Sequence, residues 1–472
     1  MFTLNDILQA NDGTIHLSGS SSAEQVFSAA HHDSQQIEQG DLFIAIKDFS
    51  VDSHTFIPAV AKVGAGAVLC TEPSSNVAPE FLQIVVPDVV KALHATARVR
   101  TQQQQNTTLI GIAGSNGKTS AKEAIASVLG RKAPTLKTNA SYNNEIGYPL
   151  TLLNLEPQHR YAVLEMGTQR AGELTWLCET IARPDWAIIT NVGAVHPGYF
   201  GSHERVALAK SELVQALPAD GIAILNYDDS HVRGMSEKAQ AQVLYYGLKE
   251  GAEVRGSDIG GDTLRGRYFT LSYQDQRVHV QLRLPGEHGV SIALAAAAVG
   301  CAAGLPLDEI RAALEALSPV KGRGEIKPGP NGSTLIDDTY NANQQSILAM
   351  IGAMHTASIA HGGKRWAVLG DIFELGGYAR REHRTCGEAL AGEVDYLVAI
   401  GNEARYYVEG AIRSCMPAEN IFYFDADVEN DHELEVAKHA AANLLKKEVR
   451  HMDMVLLKGS RAMRFETMLD ML

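Results

Sequence analysis

The chain has 472 residues and a formal charge of −14, a length that at roughly 100–200 residues per domain allows about three domains with ample cores. That acidity excludes a general binder of nucleic acid or membrane surfaces, so an anionic substrate must be held by locally gathered basic groups and metal ions. Cys70, Cys178, Cys301, Cys386 and Cys415 show no paired spacing and are an odd count, poor material for a disulfide framework, and no stretch approaches the ~20 apolar residues of a helical membrane span.

Met1-Phe2-Thr3-Leu4-Asn5-Asp6 lacks a basic region and an apolar core, so a soluble protein of the reducing cytoplasm is expected. The first hundred residues alternate strand-like runs (Leu42 to Ile46, Ala67 to Cys70, Leu82 to Val86) with a helical run, Phe56 to Val63. They read as a small α/β domain, residues 1–101. The polar tract Thr101 to Thr107 reads as a linker.

Leu109 to Ala113 is a buried-strand pattern, and Ala121, Ala124, Ile125, Val128 and Leu129 repeat at helical spacing. Between them lies Gly114-Ser115-Asn116-Gly117-Lys118-Thr119, a G-x-x-G-K-T core in the strand-to-helix setting that a phosphate loop requires. Its glycines let backbone N–H groups converge at a helix N-terminus, Lys118 can reach outer phosphates, and Thr119 is placed to hold Mg²⁺. The spacing departs from the strict motif, whose first glycine would stand at Ile112.

From residue 102 to 317, strands Tyr161 to Glu165, Trp186 to Asn191 and Ile222 to Asn226 alternate with helical segments, the signature of a mainly parallel sheet. A β-rich insert, roughly Glu253 to Leu284, follows. Ser318 to Gly324 marks a second boundary. Beyond it, over residues 318–472, Thr334 to Ile336, Trp366 to Leu369, Tyr396 to Ile400, Ile421 to Phe424 and Met454 to Leu457 are each trailed by a helical pattern. This is a doubly wound domain, and the whole chain is of the α/β class.

Glu165 ends its strand at the sheet edge where ligands of open α/β sheets bind, so it reads either as a second Mg²⁺ anchor or as a surface strand-end acid. His196 and Lys210 gain interest because both fall on that same edge. The strand-end clusters Asn226 to Asp229 and Asp337 to Asn343, with Arg323 upstream, suit an interdomain nucleotide cleft, although Asx clusters also serve as turns and caps. Lys458-Gly459-Ser460-Arg461 leaves a strand and opens a helix, either an anion site or only a basic helix start.

These motifs, in this order and over nearly the whole chain, resemble the Mur ligases of peptidoglycan synthesis. The resemblance rests on the phosphate loop, Asn143-Asn144-Glu145-Ile146-Gly147-Tyr148-Pro149-Leu150-Thr151, Glu165-Met166-Gly167, the His196 to Ser202 segment and Leu284-Pro285-Gly286-Glu287-His288. It continues through Gly322-Arg323, Asp338 to Asn343, Gly370 to Gly376 and Lys458 to Arg461. It implies three domains: one for a UDP-sugar, a central phosphate-loop ATPase domain, and a Rossmann-like domain for the acceptor and part of the nucleotide.

The implied activity is ATP-dependent amide formation through an acyl phosphate, joining D-alanyl-D-alanine to UDP-N-acetylmuramoyl-tripeptide for the cell wall, and so for cell shape and division. ATP would lie on residues 114–119 with His288, Arg323 and Asp338. One Mg²⁺ would be held by Thr119 and Glu165, and a second would involve His196 and Lys210, the latter matching the family's carbamylated lysine, with Lys118, His196 and Lys210 as catalytic groups. Asp33, Ser34, Lys47, Asn143 and Asn144 would meet the UDP-sugar-peptide, and Asn341, Asn343, Lys458, Ser460 and Arg461 the dipeptide. A monomer without nucleic-acid partners is implied.

Departures from the family pattern are Gln35 in place of an arginine, Gly289 in place of an asparagine, Ile292 in place of a second asparagine that meets the adenine, and Ser141 in place of an asparagine. The absence of an Asp-Asn-Pro-Arg motif points away from the ligase that adds the third residue, and the UDP-sugar domain points away from a folate polyglutamate ligase. A different class, an ATP-binding switch with partner-binding outer domains, would release phosphate without needing an amine.

Overall fold

A computed structural model describes residues 1–11, 14–22, 24–47, 51–193 and 202–472. Three larger sheets, each covered by helices, organise these residues. The first has five strands in the order His16–Ser18, Gln83–Val85, Ala67–Cys70, Leu42–Ile44, Ala30–His31.

The helix Val89–Gln103 follows that sheet and runs into the tract expected to be a linker. Val89, Ala92, Leu93 and Ala97 bury one face, and the glutamines that follow are good enough helix formers to extend it. Arg100 then donates to the carbonyls of Met1 and Leu155, 2.6 Å each, and Gln103 donates to Asp6 at 2.8 Å. The apolar cluster holding Leu93 and Ala97 continues into Tyr148, Leu152 and Leu164 under the second sheet. The 101/102 division therefore falls inside a packed helix.

The second sheet has nine strands. Its order is Gln276–Leu282, Gly266–Tyr273, Val254–Asp262, Gln242–Gly247, Ile222–Asn226, Trp186–Ile189, Thr108–Ala113, Tyr161–Glu165, Thr135–Lys137. Pairing is parallel from Val254–Asp262 to Thr135–Lys137, and the strands of the expected insert close it antiparallel. Thr108–Ala113 is buried on both faces, as a central parallel strand must be: Leu109 and Ala113 enter one apolar cluster, Ile110 and Ile112 the other. The helix Lys118–Leu129 packs with the Ala-rich helix Gly286–Ala302, whose small residues allow close approach.

The third sheet runs Glu325–Pro328, Thr334–Asp337, Met454–Lys458, Arg365–Gly370, Tyr396–Ile400, Ile421–Phe424, parallel except for its first pair. Glu325–Pro328 is an edge strand that the sequence reading omits, because its alternation is half charged and ends in proline. The turn between Val254–Asp262 and Gly266–Tyr273 reaches across to this third unit. Leu264, 3% exposed, enters a core with Ile336, Ile347 and Ile351. Thr263 Oγ1 donates to the Ala353 carbonyl at 2.9 Å, and the Ser358 N–H to Asp262 at 2.9 Å. No helix among the described residues is long and apolar enough to cross a membrane.

Candidate active site

The C-terminal end of Thr108–Ala113 turns into the helix Lys118–Leu129 through a loop that only glycine permits at two points. Gly114 has φ +150°, and a Cβ there would lie 1.9 Å from Thr190 Oγ1. Gly117, at φ +80°, caps the helix in the left-handed region. The next strand end pins the loop. Asn191 accepts from the Asn116 N–H at 2.9 Å and donates to its carbonyl at 3.0 Å, Thr190 donates to the same carbonyl at 2.7 Å, and the Gly193 N–H donates to Ser115 Oγ at 2.8 Å. Thr190 and Asn191, placed by sequence at the end of a strand, carry no expected site role, although a strand end beside the loop strand is the signal for one.

Lys118 Nζ folds back onto the carbonyls of Gly114 (2.8 Å) and Ser115 (3.4 Å). Burial lowers the pKa of this ammonium, Glu165 opposes that shift, and Arg323 adds to it. Thr119 Oγ1 lies 3.2 Å from Ser141 Oγ and accepts from Arg323 Nη2 at 3.3 Å.

Glu165 is 1% exposed at the end of Tyr161–Glu165. Its Oε1 accepts from Asn143 Nδ2 at 2.9 Å, while Oε2 is buried with no hydrogen bond and has the ammonium of Lys122 4.0 Å away. A buried carboxylate oxygen without a donor, lining the same cleft as the Thr119 hydroxyl, is a hard-oxygen pair that fits Mg²⁺.

Lys210 lies on the helix His203–Gln215, 3% exposed, with no hydrogen bond or ion pair among the described residues. Burial, helped by nearby Lys118, lowers its pKa to about 7. His196 lies outside the described residues. No group of three or more His, Cys, Asp or Glu that could hold a metal occurs among the described residues.

A cleft of about 1760 Å³ runs between this sheet edge and the third unit, whose wall includes Arg323, Asp338, Asn341, Lys458 and Arg461. Lys458 ends its strand and Ser460 caps the helical turn Arg461–Met463, so the segment leaves a strand and opens a helix as expected. The Lys458 ammonium is buried, ion-paired to Asp338 at 2.5 Å and donating to the Asn341 carbonyl at 3.1 Å. Ser460 Oγ accepts from the Phe373 N–H at 3.0 Å, and Asn341 Oδ1 from the Arg461 N–H at 3.3 Å. Asn343 caps the helix Gln344–Thr356 and donates to Asn116 Oδ1 at 2.6 Å, which brings it to the phosphate loop. Gln345, unassigned by sequence, accepts from Asn116 Nδ2 at 3.0 Å.

His288, Gly289 and Ile292 line the same cleft. A Cβ at Gly289 would lie 2.9 Å from the Leu284 carbonyl oxygen, so an asparagine there would require the backbone to shift.

Asn143 and Asn144 line the cleft, whereas Asp33, Ser34 and Lys47 do not. Asp33 caps the single turn Ser34–Gln36, and Gln36, not Gln35, reaches Tyr142 OH at 2.9 Å. Lys47 is exposed and paired with Asp52 at 3.0 Å. Asn144 Oδ1 accepts from the N–H groups of Ile146 and Gly147, closing the turn into the helix Gly147–Leu153.

A family model described as the Mur ligase middle domain matches residues 112–300, and one described as the Mur ligase, glutamate ligase domain matches residues 322–461. The chain is 33% identical over 464 residues to a UDP-N-acetylmuramoyl-tripeptide–D-alanyl-D-alanine ligase of Mycobacterium tuberculosis, covering 93% of this chain and 90% of that protein. It superposes on the crystal structure of MurF from Acinetobacter baumannii with a TM-score of 0.82 and 31% identity, over 99% of this chain and 98% of that one. The MurF ligase of Thermotoga maritima in complex with ADP gives a TM-score of 0.76 and 28% identity, over 94% and 96% of the two chains.

Proposed function

The chain belongs to the Mur ligase family, and from that premise we propose that it is the ATP-dependent ligase joining D-alanyl-D-alanine to UDP-N-acetylmuramoyl-tripeptide in peptidoglycan precursor synthesis. One observation carries the reading. A single cleft has Lys118, Thr119, Glu165 and Lys210 on one wall and Arg323, Asp338, Lys458 and Arg461 on the other, the pairing of a phosphate site with an acceptor site.

In the proposed reaction a carboxylate oxygen of the tripeptide attacks the γ-phosphorus of ATP and ADP leaves, giving an acyl phosphate. The dipeptide amine then attacks the acyl carbon, a tetrahedral species forms, and phosphate departs with the C–O bond pair while the amine sheds a proton. The helix N-terminus behind Gly117 and the Lys118 ammonium stabilise the phosphate charge. Arg323 adds positive charge from the opposite wall, Lys458 fixes Asp338 and the Asn341 carbonyl there, and Arg461 is suited to the dipeptide carboxylate through paired N–H donors. The two walls exclude water from the acyl phosphate.

Thr119 and Glu165 would hold one Mg²⁺ and His196 with Lys210 a second, and these ions would supply neutralisation of charge on the transferring phosphoryl group. Lys210 is suited to carbamylation. As the free amine its nitrogen adds to the carbon of CO₂ and loses a proton, turning a cation into an anionic oxygen ligand. The unit built on the first sheet, with Asp33, Ser34 and Lys47, is assigned to the UDP-sugar, and the third unit to the dipeptide and part of the nucleotide. We place the enzyme in the cytoplasm as a monomer.

The test is phosphate release from Mg²⁺ and ATP by the purified protein, offered the UDP-tripeptide with and without D-alanyl-D-alanine. Release that needs both, with the UDP-pentapeptide mass appearing, is the expected result. Release that ignores the dipeptide but follows another amino acid would make it a different Mur-type ligase. Release without any amine would favour an ATP-driven switch.

A further inference from the structure

Tyr340 has no role in the reading above, yet it joins the two walls of the cleft. Its hydroxyl donates to Ser141 Oγ at 2.6 Å, and Ser141 Oγ lies 3.2 Å from the Thr119 hydroxyl of the phosphate loop. Its ring carries the Arg323 guanidinium 4.2 Å from the ring centroid and that of Arg461 at 5.6 Å, both within cation–π range. Arg323 Nη2 in turn donates to the same Thr119 hydroxyl at 3.3 Å, which closes a ring of contacts through Thr119, Ser141, Tyr340 and Arg323. The backbone holds the arrangement: the Tyr340 N–H donates to the Gly322 carbonyl at 3.0 Å, one residue before Arg323. Arg323 Nε is buried with no acceptor, a donor left over for a ligand in the cleft.

We propose that Tyr340 is a positioning residue that aligns Arg323 and Arg461 on one ring and anchors them to the phosphate loop through Ser141. The inference rests on the proposed function only for the identity of what the two arginines meet. Thr119 would hold Mg²⁺ with its hydroxyl, and Arg323, which now donates to that hydroxyl, would then be free to meet a phosphate oxygen. The Tyr340 ring keeps the guanidinium in place through that exchange, and the Ser141 bond keeps the ring in place.

The test uses the full chain. Tyr340→Phe removes only the hydroxyl, Ser141→Ala removes its acceptor, and Tyr340→Leu also removes the ring. Affinity for a non-hydrolysable ATP analogue with Mg²⁺ is measured by calorimetry, and kcat and KM for ATP and the dipeptide by phosphate release. Tyr340→Phe and Ser141→Ala should each weaken analogue binding by roughly 3–10-fold, the worth of one hydrogen bond. The double variant should be no weaker than Ser141→Ala alone, since that change already deletes the Tyr340 bond together with the Thr119 contact. Tyr340→Leu should lose more and raise the dipeptide KM further than it lowers kcat. Ser141→Ala, on the opposite wall, keeps the test open if Tyr340→Leu fails to fold. Analogue binding within twofold of the parent for Tyr340→Phe, or single losses that simply add, would overturn the proposal. A parent protein that binds nucleotide with this mutant pattern but forms no amide would leave the proposal standing and reject the ligase assignment.

Discussion

Asn143 donates its side-chain amide to Oε1 of Glu165 over 2.9 Å, and that bond determines which carboxylate oxygen remains bare in the cleft. The Asn143 amide thus orients a carboxylate that is otherwise buried and short of donors. With Glu165 in its proposed role of holding Mg²⁺, Asn143→Ala should raise the Mg²⁺ concentration for half-maximal rate by roughly 10–100-fold, the usual effect of losing an outer partner of a metal ligand. Glu165→Gln, which removes the anionic oxygen itself, should raise it further. Mg²⁺ titrations at saturating ATP check both, and an unchanged midpoint in Asn143→Ala would mean that the bond does not orient the carboxylate.

Lys210 has its pKa lowered from 10.5 to about 7, first by burial and then by Lys118. The neutral amine therefore gains population as pH rises through about 7, and ¹³C-labelled CO₂ should give a carbamate resonance that grows over the same range. Lys210→Arg should abolish that resonance and the ligase rate. The sign for stability is the same. The unfolded chain keeps this proton up to about 10.5 while the folded one sheds it near 7, so Lys210 adds a rise in stability with pH between those values. Chemical denaturation of Lys210→Met and the parent across that window should show the parent alone gaining this contribution.

His383 is fully buried and neutral, its pKa lowered to about 4 by burial. Its Nδ1 lies 2.7 Å from the Ala379 carbonyl, and its Nε2 accepts the Ile372 N–H at 2.9 Å, so the proton sits on Nδ1. Below about 6.5 the unfolded chain takes up a proton that the folded protein refuses until about 4, so stability falls as pH drops through that interval. His383→Phe should remove that part of the slope and leave the Ile372 N–H without an acceptor, a loss of roughly 1–3 kcal/mol at neutral pH. Urea denaturation at pH values spanning the interval measures both effects.

Leu264 belongs by sequence to the second sheet's hairpin and by packing to the third unit's core. Leu264→Ala should forfeit roughly 2–5 kcal/mol, typical for a buried leucine, and the loss should fall on the contact between units rather than within either. Small-angle X-ray scattering should show a larger radius of gyration, and limited proteolysis faster cleavage near residues 318–324. A variant that melts earlier with no change in scattering would place the loss inside one unit.

Much was legible in the sequence because it is local. The buried alternation of Leu109 to Ala113, the glycines at 114 and 117, and the helical spacing from Ala121 to Leu129 lie within one contiguous stretch, and each reports its own backbone geometry. The strands Tyr161–Glu165, Ile222–Asn226 and Tyr396–Ile400 have the bounds their apolar runs suggest, since a strand buried on both faces has little other way to be written. Polar and edge segments were less legible. The helix through Gln103 and the strand Glu325–Pro328 are fixed by neighbours that satisfy them, not by their own apolar patterns.

The sequence by itself determined the three sheets' main strands, the phosphate loop and the family to which the chain belongs. Only the tertiary structure decided that Asn343 meets Asn116, that Tyr340 meets Ser141, that Leu264 fills another unit's core, and that one oxygen of Glu165 is left without a donor. The physical reason is range. Periodicity and turn chemistry are properties of neighbours along the chain, whereas these pairings depend on which surfaces the packed units bring face to face, and partners about two hundred positions apart carry no shared local pattern.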